Sequence, residues 1–322
     1  MRLIRGLTNL KHIAGSADSP LADGCVATIG NFDGVHRGHK TIIDQVKGKA
    51  RVLNLPSVVM IFEPQPQEFF KGAEAPPRLM PFRQKFEALL GEGVDVVLCI
   101  RFDETFRNYS GMGFIEDVLI NGLGVRHLVV GDDFRFGCDR AGDFKLLQSV
   151  GQERGFTVEN TRTVMVDGER VSSTRVRNAL NVNGLEEAER LLGHPYRIHG
   201  RVVYGRQLGR QIGAPTANIL LHQMPALRGV YVVRARLDTG EWRDGVANIG
   251  LRPTVDGKRP SLEVHLFDFA GTLYGQHLEV VFRHGLRDEV KFDSVDELRQ
   301  QIARDFDHAR AWLAENPATP ET

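Results

Sequence analysis

Two histidines, His36 and His39, stand three residues apart in the run GNFDGVHRGHK at positions 30–40. Three glycines share this run, which follows the apolar run Cys25–Ile29 and precedes a segment with helical spacing. Glycines let the backbone approach an anion, the first turn of a helix offers unpaired N–H groups, and imidazole rings add donors. The spacing therefore favours a phosphate-binding loop where a strand gives way to a helix.

The alternatives for the histidine pair explain less of the sequence. A turn with surface histidines gives no reason for three glycines, and a metal site needs more ligands than an HxxH pair supplies. A Walker A loop requires Lys-Ser/Thr after its last glycine, and neither Gly34 nor Gly38 is followed by these residues. The GxGxxG fingerprint of dinucleotide-binding folds is absent from the run as well.

Two further runs in the second half of the chain carry candidate chemistry. GRVVYGRQLGRQIGAPTANI at positions 200–219 is rich in glycine and arginine, so it suits a phosphate-binding loop and a solvated basic loop equally. SLEVHLF at positions 261–267 alternates like a half-buried strand, with Glu263, His265 and Phe267 on one face. An outward carboxylate is more often solvated than functional, so the strand pattern alone assigns Glu263 no role.

Alternating strands and helices are expected to position the histidine loop. In the first half, apolar runs alternate with segments of helical periodicity, which predicts an α/β domain with a doubly wound parallel sheet, Rossmann-like in layout. Such sheets bind ligands at the carboxyl ends of their strands, near a topological switch point. The predicted strands are Cys25–Gly30, Ser57–Phe62, Val94–Ile100, His127–Gly131 and Phe156–Thr161, and the predicted helices are Lys40–Val52, Phe82–Leu90, Met112–Asn121 and Phe144–Arg154, with one more after Ser172–Thr174.

The second half is expected to fold as a small antiparallel barrel or sandwich with a terminal helix, because its strand-like runs follow one another without helices between them. A connector with one short helix, Asn181–Tyr196, leads into it, and a capping box at Ser294–Glu297 begins the terminal helix. The predicted strands are Arg197–Tyr204, Gly229–Leu237, Trp242–Ile249, Ser261–Phe269 and His277–His284.

Composition limits the classes of protein to consider. The 322 residues suggest two domains, and 41 basic residues balance 41 acidic ones, so no net field favours nucleic acid or an anionic membrane. Cys25, Cys99 and Cys138 form no CxxC pair, which argues against disulfides and structural zinc. No signal-peptide core or membrane-spanning run is evident. We expect a cytoplasmic protein that binds small molecules, without nucleic-acid or membrane partners, monomeric or weakly self-associating.

The motifs together resemble the bacterial bifunctional riboflavin kinase/FMN adenylyltransferases, the FAD synthetases. GNFDGVHRGH is similar to the HxGH signature of nucleotidylyltransferases, and VSSTRVR at 171–177 to their second motif, ISSTxxR. FEPQP at 62–66 and VGDDFRFG at 130–137 resemble the adenylyltransferase half of the family, and positions 209–218 match the kinase pattern GRxxGxPTAN. The resemblance extends over nearly the whole chain.

The resemblance implies an FMN adenylyltransferase domain at residues 1–183 and a riboflavin kinase domain at residues 184–322. The implied reactions are riboflavin + ATP → FMN + ADP in the second domain, then FMN + ATP → FAD + pyrophosphate in the first. Mg²⁺ is the implied cofactor, and the implied small-molecule partners are ATP, riboflavin, FMN and FAD. A nucleotidylyltransferase for another acceptor, a flavin sensor without turnover, and a chain with one active half remain as alternatives.

The resemblance also implies roles for individual residues. His36, His39 and Arg177 would act as catalytic donors to the triphosphate, Glu263 would be the general base of the kinase, and Thr216 with Asn218 would hold Mg²⁺. Core packing is as good an interpretation of Phe62 and Phe136 as flavin contact. The implied ATP-binding residues are Gly30, Asn31, Phe32, Gly34, His36, His39, Ser173, Thr174, Arg177, Gly205, Arg210, Thr216 and Asn218; the implied flavin-binding residues are Phe62, Asp133, Phe136, Asn218, Glu263 and Arg287.

Overall fold

The structure, a computed structural model, describes residues 2–16, 18–205, 209, 213–254 and 257–317. Contacts within the chain divide it into two compact units. The first unit comprises Met1–Pro76 and Met80–Ser172, and the second comprises Pro77–Leu79 and Ser173–Thr322. Each unit is described on its own below. No helix in the described part of the chain is long and apolar enough to cross a membrane.

Among the described residues, a six-stranded parallel sheet forms the centre of the first unit. Its strand order is β1-β4-β3-β2-β5-β6. The chain moves outward on one side from β2 and returns to its other side with β5, so the topological switch point lies between β2 and β5. The strands are β1 (Leu3–Arg5), β2 (Cys25–Ile29), β3 (Ser57–Glu63), β4 (Val96–Arg101), β5 (Val125–Val130) and β6 (Thr157–Asn160), and a separate antiparallel pair follows, β7 (Met165–Val166) and β8 (Glu169–Arg170).

Helices cover both faces of this sheet, as the doubly wound prediction requires. Successive strand residues face opposite sides, so Met60 packs in a core with the π-helix, whereas Ile61 packs in a core with α2 and α4. The strands are buried on both faces, which explains their continuous apolar sequences. The helices are α1 (Gly6–Ala14), α2 (Arg37–Leu53), α3 (Pro66–Lys71), α4 (Phe82–Gly91), α5 (Glu104–Arg107), α6 (Gly111–Gly113), which runs directly into a π-helix (Phe114–Ile120), and α7 (Phe144–Arg154).

In the described part of the second unit, six antiparallel strands close into a barrel in the order β10-β13-β12-β11-β14-β9. Because these six strands form a closed sheet, the second unit is the predicted barrel and not the alternative sandwich. The strands are β9 (Arg197–Val203), β10 (Ala217–Leu220), β11 (Gly229–Arg236), β12 (Trp242–Thr254), β13 (Gly257–Leu266) and β14 (His277–Arg287), and the helices are α8 (Ser173–Asn181), α9 (Leu185–Leu192) and α10 (Val295–Glu315).

The terminal helix α10 covers part of the outer surface of the barrel. Ser294 caps it by accepting a hydrogen bond from the backbone N of Glu297, as the capping box predicts. Its Ala309 is fully buried against Val230, Val246 and Phe267. The helix therefore covers part of the outer surface of the barrel, so side chains that point outward from these strands are not all exposed to solvent.

Candidate functional sites

The histidine loop begins at the carboxyl end of β2, which is the topological switch point of the sheet. The backbone is left-handed at Phe32 (φ 46°), Gly34 (φ 87°) and Val35 (φ 39°). Glycine adopts this conformation without strain, whereas a β-branched residue such as Val35 does not. Phe32 and Val35 are only 2% and 1% exposed, so apolar burial on the α2–α4 side of the sheet holds them in place. Backbone strain held by packing is typical of ligand-binding loops.

His36 caps α2 and orients His39. Nδ1 of His36 accepts a hydrogen bond from the backbone N of His39 at 3.3 Å, so the proton of a neutral His36 ring lies on Nε2. The two rings stack with centroids 3.6 Å apart. A Cβ atom at Gly38 would lie 3.2 Å from the His36 ring, so glycine is the residue that leaves room for the ring at this position.

His39 is electrically neutral at physiological pH. Burial lowers its pKa well below the usual value of 6.5, and the charges of His36 and Lys85 lower it further. Nδ1 of His39 is buried and has no hydrogen-bond partner within the described residues. Buried polar atoms in proteins are almost always paired, so this nitrogen is suited to contact a ligand.

The predicted motif VGDDFRFG, at positions 130–137, begins at the carboxyl end of β5, on the same edge of the sheet as the histidine loop. Asp133 is exposed there and lies 3.8 Å from Arg170. Phe62 and Phe136 are each only 8% exposed and pack in the core. Phe134 stacks on Phe136 and is the more exposed ring of that pair. This burial favours the packing interpretation for Phe62 and Phe136.

Ser173, Thr174 and Arg177 lie in the first two turns of α8, which belongs to the second unit. Arg177 donates from Nε to the backbone oxygen of Pro77 at 2.7 Å, in the short segment that belongs to the same unit. The predicted contact of these three residues with ATP stays a prediction.

The barrel places its candidate residues in one row across adjacent strands. Asn218 of β10 pairs with Glu263 of β13, which pairs with Asn248 of β12; Asn248 pairs with Val230, and Val230 with Arg287 of β14. Directly opposed residues of antiparallel strands point to the same side of the sheet. The sequence alternation placed Glu263 on this face correctly, but it could not show that two asparagines flank it.

Asn218 is held in a fixed orientation beside Thr216. Its Nδ2 donates to the backbone oxygen of Thr216 at 3.1 Å and to Oγ1 of Thr216 at 3.3 Å. A Cβ atom at Gly205 would come within 2.7 Å of the Asn218 amide, so only glycine permits this close approach. Arg210, the remaining predicted phosphate ligand of this loop, lies outside the described residues.

A cavity of about 310 Å³ lies between the outer surface of the barrel and α10. Glu263 and Thr216 line it, and its size is within the range of small-molecule sites. A smaller cavity of about 90 Å³ borders the other side of Thr216. Thr216 therefore lines both cavities.

His265 lines the larger cavity and contacts both the segment before β10 and the helix α10. The sequence did not reveal this role. Nδ1 of His265 donates to the backbone oxygen of Pro215 at 2.9 Å, and its ring stacks on Phe306 of α10 at 4.4 Å. Burial lowers the pKa of His265, and the nearby Arg310 lowers it as well. The neutral ring thus ties the segment that contains Thr216 to the terminal helix.

Arg287 lines the same cavity but directs its donors into the protein. Nε and Nη2 donate to the two carboxylate oxygens of Asp305 in α10, at 3.0 and 2.8 Å, and Nη1 donates to the backbone oxygen of Asp288. Asp305 was not among the predicted site residues. The signal for it was present, because Asp305 is a charged residue beside Phe306 and one turn from Ile302 and Ala309, on the apolar stripe of the helix.

Comparison with known proteins agrees with this two-unit architecture. The FAD synthetase family matches residues 18–175, and the riboflavin kinase family matches residues 192–313. Bifunctional riboflavin kinase/FMN adenylyltransferases from Pseudomonas fluorescens and Escherichia coli K12 are 53% and 52% identical to this chain; the alignments cover 98% and 97% of the chain and 98% of each relative.

A similar solved structure is a crystal structure from Streptococcus pneumoniae whose title names a macrolide-efflux protein. Its TM-score is 0.78 at 28% sequence identity, and the match covers 97% of this chain and all of that one.

Proposed function

The chain belongs to the family of bifunctional riboflavin kinase/FMN adenylyltransferases, and we propose that it makes FAD in two steps, one assigned to each unit. It is a transferase that combines riboflavin kinase and FMN adenylyltransferase activities. The observation that carries the assignment of residues is the row Asn218–Glu263–Asn248, of which Glu263 and Asn248 line a cavity of about 310 Å³.

In the kinase step, Glu263 accepts the proton of the terminal ribityl hydroxyl while the hydroxyl oxygen attacks the γ-phosphorus of ATP. The bond between the γ-phosphorus and the β–γ bridging oxygen breaks, and ADP leaves. An alcohol keeps its proton at neutral pH, so a positioned base accelerates the step by about 10²–10⁴-fold. The position of Glu263 at the cavity, between two amide side chains, supports this role. Riboflavin would occupy the larger cavity, with its ribityl chain directed to Thr216.

Mg²⁺ fits the donors beside Glu263. The hydroxyl of Thr216 and the amide oxygen of Asn218 are hard oxygen ligands, and Mg²⁺ in nucleotide sites takes most of its other ligands from water and phosphate. The orientation of the Asn218 amide, whose nitrogen donates to Thr216, supports the use of its oxygen as a ligand. When bound, the ion would offset negative charge on the β- and γ-phosphates.

In the adenylyltransferase step, the FMN phosphate attacks the α-phosphorus of ATP and pyrophosphate leaves. This phosphate has a second pKa near ~6, so it is mostly a dianion at pH 7 and needs no general base. His36 and His39 donate hydrogen bonds to triphosphate oxygens, and backbone N–H groups at the start of α2 add to them. The lowered pKa of His39, the stacking of the two rings and the Nδ1 of His39, which has no partner within the described residues, support the assignment.

The remaining site residues enter the proposal from the resemblance of their motifs. Ser173, Thr174 and Arg177 are further ATP ligands, and Asp133 is a flavin contact. We place the adenylyltransferase domain at residues 1–183 and the kinase domain at residues 184–322, in the cytoplasm. The proposed partners are ATP and flavins alone, without nucleic acid or membranes, and the chain is proposed to be monomeric or weakly self-associating.

A time course tests the proposed function. The purified chain is incubated with riboflavin, ATP and Mg²⁺, and the flavins are separated by chromatography. We expect FMN to form first and FAD to follow it. FMN that accumulates without FAD would reject the role of the histidine loop, and tight flavin binding without turnover would favour the sensor.

A further inference from the structure

One wall of the larger cavity consists of α10 and the coil at residues 288–293 that leads to it. Phe292 of the coil and Phe306 of the helix line the cavity opposite Glu263. This wall is largely apolar, which suits the flat ring system of a flavin. Neither the coil nor the helix belongs to the barrel, so their positions must be fixed by specific contacts.

Arg287, at the last position of β14, supplies polar contacts to the coil and the helix, in addition to the apolar packing of Ala309 on the barrel. Its guanidinium binds both carboxylate oxygens of Asp305 in α10, donates to the backbone oxygen of Asp288 at 3.0 Å, and lies 5.7 Å from the ring of Phe292. A single side chain therefore joins the barrel, the start of the coil, the middle of the coil and the helix. Three of the five N–H groups of Arg287 are used in this way, one on each nitrogen, so the side chain is placed to support the wall.

Asp305 is the partner that determines this arrangement. It is 5% exposed, and Gln301 donates a further hydrogen bond to its Oδ1 at 2.9 Å. A buried carboxylate is costly unless it is paired with good geometry, and a bidentate arginine provides that geometry. Asp305 and Arg287 both line the cavity, and Arg287 shares the barrel row with Glu263.

We infer that Asp305 is a positioning residue for riboflavin, which acts through Arg287 to hold α10 and residues 288–293 as the wall of the flavin cavity. This inference rests on the proposed kinase function of the second unit. The hydrogen bonds that the structure describes for Asp305 go to Arg287 and Gln301, so we assign it no contact with ATP or the transferred phosphoryl group. Its loss should therefore weaken the binding of riboflavin and leave the chemical step intact.

The test compares Asp305→Asn with Asp307→Asn, an exposed position two residues further along the same helix. The apparent KM for riboflavin, the KM for ATP and kcat are measured for FMN formation. The rate of FAD formation from added FMN serves as a control on the integrity of the first unit. For Asp305→Asn we expect the KM for riboflavin to rise about tenfold or more, with kcat and the KM for ATP changed less than about twofold; Asp307→Asn should match the unaltered chain.

Asp305→Glu provides a second, milder variant in case Asp305→Asn fails to fold. It keeps the charge and lengthens the side chain by one methylene, so it should show the same split between KM and kcat with a smaller change. A fall in kcat at unchanged riboflavin KM, equal changes for both substrates, or no change in either Asp305 variant would overturn the inference. If the unaltered chain and Asp307→Asn form no FMN, the proposed function fails instead.

Discussion

His36 and Glu263 illustrate two ways of presenting a reactive side chain. His36 caps a helix, and its Nδ1 accepts a hydrogen bond from the backbone N of His39, so the proton of a neutral ring lies on the other ring nitrogen. Glu263 projects from the middle of a barrel strand between Asn218 and Asn248. The first arrangement suits a donor to phosphate, and the second suits a base beside a cavity.

Replacement of His36 by alanine should reduce FAD formation from FMN by about 10²–10³-fold, the usual loss for one donor to a developing charge. FMN formation from riboflavin should remain unchanged, because Glu263 and the barrel are untouched. Both rates are measured by chromatography in separate assays. His12→Ala, at an exposed position in α1, is the matched control and should alter neither rate. Equal loss of both activities in His36→Ala would contradict the assignment.

Single residues could be predicted from the sequence where a local pattern identifies them. The HxGH run and the alternation around Glu263 depend on neighbours in the chain, and both were found from the sequence. Asn248, His265 and Asp305 contribute through register and tertiary packing. Their roles depend on strands and a helix that are distant in the sequence. For Asp305 the sequence offers one local signal, a charged residue on the apolar stripe of α10, but it does not reveal the partner Arg287.

At the scale of elements, β10 is the barrel strand that the sequence analysis missed; outside the barrel it also missed the short strands β1, β7 and β8. Strand β10 has only four residues and follows a run of glycine and arginine, so its composition predicts a loop. The strand exists because it pairs with β13 on one side and β9 on the other. That pairing brings Asn218 opposite Glu263. By contrast, the long apolar runs of the parallel sheet were predicted within a few residues because their burial is continuous along the strand.

Gly205→Ala tests the close packing of the loop that precedes β10. The added Cβ would meet the amide of Asn218 at 2.7 Å, and Asn218 is only 6% exposed, so the side chain must be displaced. We expect kcat/KM for ATP in FMN formation to fall at least about tenfold, or ~1.4 kcal/mol. FAD formation from FMN should not change.

Gly48→Ala is the control for this substitution, because nothing lies within 4 Å of the added atom in α2. An unchanged kinase rate in Gly205→Ala would show that the orientation of Asn218 does not matter.

The pairing of β9 with β14 predicts a pH dependence of barrel stability. The neighbouring His199, whose Nε2 lies 3.4 Å from the Glu279 carboxylate, and a hydrogen bond from Arg197 lower the pKa of Glu279 from 4.5 to about 2, although burial of its side chain opposes the shift. Because the folded-state pKa lies below the unfolded value, this stabilisation is present above pH ~4.5 and is lost as the pH falls toward ~2. It amounts to about 3 kcal/mol.

Glu279→Gln should therefore lower the free energy of unfolding at pH 7 by about this amount, and the difference should shrink at pH 3.5. Urea unfolding followed by tryptophan fluorescence measures it, because both tryptophans, Trp242 and Trp312, belong to the second unit. Glu153→Gln, on an exposed position of α7, is the matched control. A difference that is constant from pH 7 to pH 3.5 would contradict the explanation.

At the scale of the whole molecule, the chain joins two units with separate hydrophobic cores. The parallel sheet has its own buried clusters, and the barrel with α10 has another. The sequence predicted this division from the change between alternating strands and helices and consecutive strands. Balanced charge, 41 basic and 41 acidic residues, gives no net field along the chain. FMN is the product of one proposed site and the substrate of the other.

The most direct test of two independent sites in one chain is a mixing experiment with His36→Ala and Glu263→Gln. With riboflavin, ATP and Mg²⁺, we expect the first variant alone to stop at FMN and the second alone to leave riboflavin almost unchanged. An equimolar mixture should convert riboflavin to FAD, because FMN released by one variant is the substrate of the other. If each variant keeps its remaining activity and the mixture still forms no FAD, the two sites are not independent and the account is wrong.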